Sequence, residues 1–418
     1  MPNGDVNVSG DLQPQPRKSS KTLKTLGLVA ALLFLAAVFY GNSLLIAARE
    51  DYRNSNFSKF WIAGHMVLTG QNPYDPVQWR LEQIRLGSTW TPDRIFLYPL
   101  PQAFFLTPLA LLPAAGSFLV WNFVSQAIIA ITCSILLNSH NSSTAQKLLF
   151  IPIVIFLLFF GPTYLSLQVG SIGAFALLAS LGAILLLERK ISFPAGLCLS
   201  ILALKPSQGL PILLLMTVWL LRRRDWKATA GMVTGGLLLV ISGLIYDPLW
   251  IGKFLSNSQD VSSRTLGVQS NLFSFAFLAC NKNSGCMWIV GLAGTFLLIL
   301  LGTLYLWRNG SCLTAWEAFN LVIPLGFVAT IYLWSYDQLL YIIPIIWIAM
   351  EFVEVTKSYI STFLFMLILD ILSLFALAME AFTHQDQLAI ISTAIILGLG
   401  LLLLSRRSIS IDKPRPTA

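Results

Sequence analysis

Long apolar runs, separated by short polar segments, occupy most of the chain. Residues 26–48, 228–246, 287–307 and 387–404 are each near the roughly 20 residues that a helix needs to cross a bilayer. The first run is longer than the apolar core of a cleavable signal peptide and has no evident small-residue cleavage site. It is therefore interpreted as a retained span, and the pattern predicts an all-α polytopic membrane protein.

The apolar runs, threaded between the basic clusters, predict about twelve transmembrane helices. The predicted spans are 25–48, 117–137, 148–166, 170–187, 192–205, 207–221, 228–246, 287–307, 316–334, 338–353, 358–380 and 387–404. Residues 97–112 are apolar too, but a crossing there would break the parity of the topology. They are predicted to form a re-entrant or interfacial helix, which is tolerated in a membrane where protein buries it.

Composition agrees with a chain that faces lipid. Hydrophobic residues make up 56% of the sequence and charged residues 11%, whereas soluble domains carry about 25% charged residues. Such a chain has too few charges to cover a water-facing surface. The net charge of +8 comes from Lys and Arg gathered at span ends, which is typical of membrane topology. Nucleic acid is therefore not an expected partner.

The Lys and Arg clusters also predict the orientation. They lie before the first span, at Arg222–Arg224 and after the last span, and cytoplasmic loops are rich in these residues. Both termini are therefore predicted to be cytoplasmic. The predicted parts are a disordered basic tail over 1–24, a transmembrane domain over 25–404 with external segments at 49–96 and 247–286, and a basic tail over 405–418.

The first external segment carries polar residues at the depth of the lipid head groups. Apolar residues between Phe57 and Leu68 recur at helical spacing, which predicts an amphipathic helix along the membrane face. Asp51 and Asn56 precede this helix, and Asp75 follows it in a proline-rich turn. These three side chains are candidate catalytic residues. The alternative is a solvated loop with a helix cap and a turn.

Lys205 interrupts an otherwise apolar stretch and is followed by Pro206. A charge at this depth is costly unless the side chain reaches the head groups or meets an anion. Lys205 is therefore either a snorkelling residue or a contact for the phosphate of a lipid-linked substrate. Tyr336 and Asp337 lie at the external mouth of two later spans, where they either bind a sugar hydroxyl or mark the water boundary.

Two further candidates have a structural alternative. Tyr98 lies beside prolines at the start of the apolar 97–112 stretch, and a backbone kink explains these prolines as well as a substrate contact does. Gln168 is followed by Val169 and Gly170 at the end of an apolar run. This triplet fits a tight turn between helices or a ligand contact.

Cysteine and histidine spacing adds little chemistry. Cys280 and Cys286 share one external segment and can form a disulfide if that side of the membrane is oxidising. The sequence shows no metal-ligand spacing and no Gly-rich phosphate loop. No metal or cofactor is therefore expected.

Six short motifs follow one another in a set order. They are Asn56-Phe57-Ser58-Lys59-Phe60-Trp61, Gly70-Gln71-Asn72-Pro73-Tyr74-Asp75-Pro76, Tyr98-Pro99-Leu100, Gln168-Val169-Gly170, Leu204-Lys205-Pro206 and Ser335-Tyr336-Asp337. This order resembles glycosyltransferase family 87, a GT-C-class family that includes polyprenyl-phosphate-mannose-dependent α-mannosyltransferases. The resemblance extends over roughly residues 25–350.

The resemblance implies a GT-C-type helical bundle in a bacterial plasma membrane, with its active site on the non-cytoplasmic face. It also implies a polyprenyl-phosphate sugar as donor, a lipid or glycan as acceptor, and no cofactor. An acid in the first external segment would deprotonate the acceptor hydroxyl, which then attacks the anomeric carbon with inversion. Lys205 would contact the phosphate. The implied pocket-lining residues are Tyr98, Gln168, Tyr336 and Asp337.

The chain departs from the family pattern at Asn56, where the family has an aspartate, because an amide cannot accept the proton. Either Asp51 or Asp75 supplies the base, or Asn56 only orients the substrate, or the activity has diverged. Residues 52–55 are poor helix formers, which favours a loop and Asp51 as the substitute base. Two other functions compete: a non-catalytic relative that acts as an assembly partner, and a transporter or flippase for lipid-linked sugars.

Overall fold

The computed structural model describes residues 19–49, 51–89, 95–138, 143–356, 358–383 and 386–411, and within these ranges the regular elements are helices, with no strand. Most of the predicted N-terminal tail and the last seven residues of the predicted C-terminal tail, 412–418, lie outside the described residues.

Eighteen α-helices lie in the described ranges, joined by turns and short 3₁₀ segments. The first ten are α1 (Ser19–Arg49), α2 (Asn56–Leu68), α3 (Pro76–Leu86), α4 (Leu100–Ala110), α5 (Ala114–Asn138), α6 (Ser143–Phe159), α7 (Gly161–Gln168), α8 (Gly173–Glu188), α9 (Ser192–Ser200) and α10 (Pro206–Arg222). The others are α11 (Trp226–Tyr246), α12 (Trp250–Thr265), α13 (Leu272–Ala279), α14 (Ser284–Asn309), α15 (Ala315–Ala329), α16 (Ile342–Thr356), α17 (Tyr359–Thr383) and α18 (Ile390–Ile411).

Six helical segments of the described chain are long and apolar enough to cross a membrane. They are Ala114–Asn138, Trp226–Tyr246, Ser284–Asn309, Ser335–Thr356, Tyr359–Thr383 and Gln387–Ser405. A seventh forms if Leu149–Phe159 and Gly161–Gln168, which meet at 50°, count as one bent span. The chain is therefore an all-helical protein with several candidate membrane spans.

The predicted count of twelve crossings is not confirmed. Helices lie at the other predicted positions, but Gly173–Glu188, Ser192–Leu204 and Ala315–Ala329 are shorter than 18 residues. One helix ends before Lys205, and Pro206 starts the next because proline fits the first turn of a helix. An apolar run does not by itself distinguish a span from a helix buried inside the protein.

The bundle has an inner and an outer set of helices. α15 and α16 are inner helices, buried along nearly their whole length, with Phe319, Ile323 and Ile346 fully buried. α14 is an outer helix that exposes large apolar side chains such as Ile289 and Phe296. An apolar outer surface of this kind is expected where helices meet lipid.

The helix predicted between Phe57 and Leu68 is confirmed as α2, but α4 covers it. The two backbones approach so closely at Gly64 that a Cβ there would lie 3.1 Å from the carbonyl oxygen of Leu106. α2 is therefore buried between elements rather than open on the membrane face. α4 itself has 11 residues, too few to cross a bilayer, in agreement with the prediction for 97–112.

Both ends of the described chain are more helical than predicted. α1 begins at Ser19, so residues 19–24 are not part of a disordered tail. α18 continues to Ile411, past the predicted end of the last span. Lysine, arginine and leucine are good helix formers, so a helix can continue beyond its apolar run. Cys280 and Cys286 form a disulfide, as the sequence allowed.

Candidate functional site

The start of α2 is held by the turn that follows α7. The Phe57 N–H donates to the carbonyl oxygen of Val169 at 3.0 Å. Gly170 has a left-handed φ of 64°, and a Cβ there would lie 2.5 Å from the Cβ of Phe57. Glycine permits both the φ and the close approach. Gln168, the last residue of α7, thus belongs to a tight turn that sets the position of Asn56, the first residue of α2.

Lys205 lies at the break between the 3₁₀ turn Ile201–Leu204 and α10. Its ammonium forms a salt bridge with Oδ1 of Asp337, and both side chains are buried. The ammonium also lies 4.9 Å from the centre of the Tyr336 ring, within the range of a cation–π interaction. Lys205 therefore reaches a carboxylate inside the protein rather than the head groups outside it.

Further hydrogen bonds stabilise Asp337. The Trp334 N–H donates to its Oδ2 at 3.3 Å, and the Gln208 amide donates to its backbone oxygen at 2.8 Å. Asp337 itself lies in the 3₁₀ turn Ser335–Tyr341, which leads directly into α16. A buried ion pair is retained when the rest of its polar surface is satisfied in this way. The site therefore depends on contacts between distant parts of the chain.

Aromatic side chains surround the ion pair. Tyr336 interacts with Asn56 and lies near Tyr98 and Tyr332. The Tyr98 ring packs edge-on against Phe60, with ring centres 4.8 Å apart. Burial, reinforced by Tyr332 and the nearby carboxylate, raises the pKa of Tyr98 well above its usual range, so Tyr98 keeps its hydroxyl proton. The structure thus brings together five of the residues predicted from the sequence: Asn56, Tyr98, Lys205, Tyr336 and Asp337.

A small apolar cleft has Lys205 in its lining. Its polar members are Lys205 and Gln208, at the start of α10. The apolar lining residues come from α8 and from the end of the α9 segment: Ile172, Phe175, Ala176, Ile201, Leu202 and Leu204. The lining thus combines apolar side chains with one cation.

Asp51 and Asp75 make local hydrogen bonds. Oδ1 of Asp51 accepts from the Arg53 N–H at 3.1 Å, and Oδ2 accepts from the Asn54 side chain at 2.7 Å. The segment after Asp51 is a single 3₁₀ turn rather than an α-helix, as predicted, and Asp51 is exposed. Asp75 caps α3 by accepting from two backbone N–H groups of its first turn.

Lys59 belongs to the site although sequence reasoning missed it. It lies three residues after Asn56, and its ammonium is 3.5 Å from the Asn56 side-chain oxygen. Lys59 is buried, so it brings a second cation to the start of α2. The signal was present in the sequence, because a lysine within an apolar stretch is the same pattern that singled out Lys205.

Asp247 was also missed, and it joins the two long segments that the sequence predicts to be external. Its Oδ2 accepts from the Asn72 amide and from the Lys253 ammonium, both at 2.7 Å. Burial acts to raise the pKa of Asp247, but these hydrogen bonds outweigh it and hold the pKa below its usual value. The Tyr246 hydroxyl adds a hydrogen bond to the backbone oxygen of Gln71 at 2.7 Å.

Comparison with known families gave one match. The family model described as glycosyltransferase family 87 matches residues 96–331, more than half of the chain. The matched part contains Tyr98, Gln168 and Lys205, whereas Asn56 precedes it and Asp337 follows it. Comparison with curated proteins and with solved structures found no match.

Proposed function

We propose that this chain, which belongs to glycosyltransferase family 87 and is a membrane glycosyltransferase, moves a sugar from a polyprenyl-phosphate donor to a lipid or glycan acceptor. The transfer inverts the anomeric carbon and takes place on the non-cytoplasmic face of the membrane. The sugar is a hexose, with mannose first among those to test. The donor and acceptor are substrates, and the proposed step uses no cofactor.

The observation that carries this proposal is the buried Lys205 ammonium, which lies in the lining of a small apolar cleft. A polyprenyl chain is a hydrocarbon that can pack against apolar walls, and its phosphate is an anion for the ammonium to meet. The cation already pairs with Asp337, so the arriving phosphate shares Lys205 with that carboxylate. An ammonium in a water-poor pocket stabilises the negative charge of a departing phosphate more strongly than it would in water.

The proposed reaction is a single displacement. The acceptor hydroxyl gives its proton to a carboxylate while its oxygen forms a bond to the anomeric carbon. The bond between that carbon and the phosphate oxygen breaks, and the electron pair leaves with polyprenyl phosphate. Lys205 balances the charge on this leaving group. Tyr98 and Tyr336 supply hydroxyls and ring faces beside the reacting sugar.

We assign the base to Asp51, with Asp75 as second candidate. Asp51 is exposed and lies on the turn that leads into Asn56. Its carboxylate accepts from the Arg53 N–H and from the Asn54 side chain, whereas the Asp337 carboxylate is buried in a salt bridge with Lys205. Asn56, which interacts with Tyr336, orients the substrate in this scheme.

The proposed sidedness is supported by the Cys280–Cys286 disulfide, since disulfides persist in oxidising compartments. We expect Val77→Cys to react with an impermeant maleimide from outside intact cells, and Lys227→Cys to react only after the cells are opened. Val77 and Lys227 are both exposed. The background lacks the free cysteines Cys133, Cys198 and Cys312. Labelling of both positions from the same side would overturn the topology.

A second candidate function is a non-catalytic relative that assembles with other envelope proteins. The observation that favours it is Asn56, an amide at the position where the family pattern has an aspartate. The two functions differ in one respect that can be measured, because a non-catalytic relative transfers no sugar until a carboxylate is restored at position 56.

The decisive experiment is transfer by the purified chain in lipid nanodiscs, with polyprenyl-phosphate mannose or glucose and a lipid acceptor. We expect the wild type to transfer one of these sugars and Lys205→Ala to be strongly impaired. Lys227→Ala removes an exposed lysine and serves as the matched control with unchanged transfer. If only Asn56→Asp transfers sugar, the chain is a non-catalytic relative. If neither protein transfers any of these sugars, the proposed donor class is wrong.

A further inference from the structure

The turn Ser335–Tyr341 contains Tyr336 and Asp337 of the candidate site. Its first residue, Ser335, is hydrogen-bonded to Asp386. The Ser335 N–H donates to Oδ2 of Asp386 at 2.5 Å, across 51 residues of sequence. An acceptor at this position satisfies a backbone donor that the start of a helical turn leaves without a partner. The carboxyl thus acts as a cap that comes from a different segment of the chain.

Asp386 is itself fixed from the other side. Its own N–H donates to the carbonyl oxygen of Val268 at 2.7 Å. Three residues on, the carbonyl oxygen of Ala389 accepts from the Gln338 amide at 3.1 Å. Only 1% of Asp386 is exposed. The segment from Asp386 to Ala389 therefore holds the turn at both its first and its fourth residue.

We propose that Asp386 is a positioning residue of the candidate site, which sets where the Ser335–Tyr341 turn places Tyr336 and Asp337 against Asn56 and Lys205. Asp386 lies in the loop before the last candidate span, outside the part of the chain that the family model matches. Its effect on sugar transfer rests on the proposed function, but its effect on the geometry of the turn does not.

The protonation state of the Asp386 carboxyl indicates which substitutions are informative. Burial, reinforced by the Glu380 carboxylate, raises the pKa of Asp386 well above its usual range, so the side chain is neutral at acidic pH values where exposed aspartates are ionised. A neutral amide has the same shape and keeps an oxygen that accepts the Ser335 N–H. Asp386→Asn should therefore preserve the position of the turn, whereas Asp386→Ala removes the acceptor.

The geometry is measured by cross-linking, which needs no substrate. Asn56→Cys and Tyr336→Cys are introduced together in a background without the free cysteines and treated with a short bismaleimide. We expect Asp386→Ala to slow cross-linking about tenfold or more, and Asp386→Asn to change it little, because reactions between positioned groups fall by about 10²-fold for a shift near 1 Å. Sugar transfer is measured with the same Asp386 substitutions in a chain that keeps Asn56 and Tyr336. We expect a lower kcat for Asp386→Ala and little change in kcat for Asp386→Asn.

The matched control is Asp225→Ala. Asp225 also caps a backbone N–H, that of Ala228 at 3.1 Å, and it accepts from Ser192 at 2.8 Å. It lies at the start of α11, away from the Ser335 turn. A similar loss of thermal stability with unchanged cross-linking would show that lost capping alone does not disturb the pocket.

Ser335 allows an independent test if Asp386→Ala fails to fold. Ser335→Pro removes the donated N–H at the first position of the turn, where proline is tolerated. Ser335→Ala keeps the N–H and removes the hydroxyl, which donates to Glu380 at 3.3 Å and also interacts with the Asp386 carboxyl. Slower cross-linking in the proline variant than in the alanine variant would support the proposal.

Equal cross-linking in wild type and Asp386→Ala, or in the two Ser335 variants, would overturn the positioning role. The proposed function fails in a different way. If Asp386→Ala slows cross-linking while the wild type transfers no sugar, Asp386 positions the turn and the assignment of the reaction is wrong.

Discussion

Two carboxylates singled out from the sequence, Asp51 and Asp337, are held in opposite ways. The Asp51 carboxylate accepts from Arg53 and Asn54, two and three residues away, and it is exposed. In the turn that contains Asp337, Asp337 pairs with Lys205 across 132 residues and Ser335 donates to Asp386 across 51, and all four residues are buried. An exposed local cap exchanges partners easily, whereas a buried long-range pair does not. In the proposed reaction, Asp51 accepts the proton, and Lys205 with Asp337 supplies fixed charge.

The largest expected effect comes from removing the base. Asp51→Asn should lower kcat by about 10²–10⁴-fold, which is typical of general-base loss, with little change in folding because asparagine also caps turns. Asp75→Asn makes the same chemical change at the cap of α3 and should leave kcat nearly unchanged. The measurement is steady-state transfer by both variants. If Asp75→Asn lowers kcat and Asp51→Asn does not, then Asp75 is the base and Asp51 only caps its turn.

The next effect concerns stability at the buried pair. Lys205→Met leaves Asp337 as a buried charge without its cation, which should destabilise the protein by about 3–5 kcal/mol. A double variant, Lys205→Met with Asp337→Leu, removes both charges and should recover most of that loss without recovering sugar transfer. Thermal unfolding in a single detergent compares the three proteins. An unshifted transition in the single variant would mean that the pair is not buried in the membrane-bound protein.

A smaller effect is expected at the turn that positions Asn56. Gly170→Ala should cost about 1–3 kcal/mol, since it combines a left-handed φ with a Cβ too close to Phe57. Gly70 also has a left-handed φ, of 71°, but nothing lies within 4 Å of a Cβ there. Gly70→Ala therefore measures only the cost of placing alanine at a left-handed φ, without a steric contact. Thermal unfolding of both variants should show the larger loss at Gly170, and equal losses would contradict the close contact.

The smallest effect is expected at Asp247. Burial acts to raise its pKa, but the hydrogen bonds from Lys253 and Asn72 outweigh burial and hold the pKa below its usual value. A carboxyl whose pKa is lower in the folded protein stabilises the fold at pH values above its pKa in the unfolded chain, about 3.9. This stabilisation is lost as the pH falls through the pKa of the folded protein. Asp247→Asn should cost about 1 kcal/mol at neutral pH. The difference in melting temperature from wild type should shrink as the pH falls below about 4, and a constant difference would exclude this linkage.

Several features could be predicted from the sequence because their causes are local. Apolar length indicated the helical membrane class, and apolar spacing predicted α2. Proline chemistry explained the start of α10, and the glycine after Gln168 indicated a tight turn. Lys205 was singled out as a charge that an apolar stretch makes expensive, and Asp337 as a carboxylate at the mouth of two predicted spans.

What the sequence did not determine was how these parts meet. It did not pair Lys205 with Asp337, and it gave no reason to notice Asp247 or Asp386, since nothing beside either residue along the chain is unusual. The predicted count of twelve spans is also not confirmed in the described residues, because an apolar helix inside the protein and one facing lipid share the same composition. The tertiary structure decided these points, because the free energy of a buried charge depends on which distant side chains surround it.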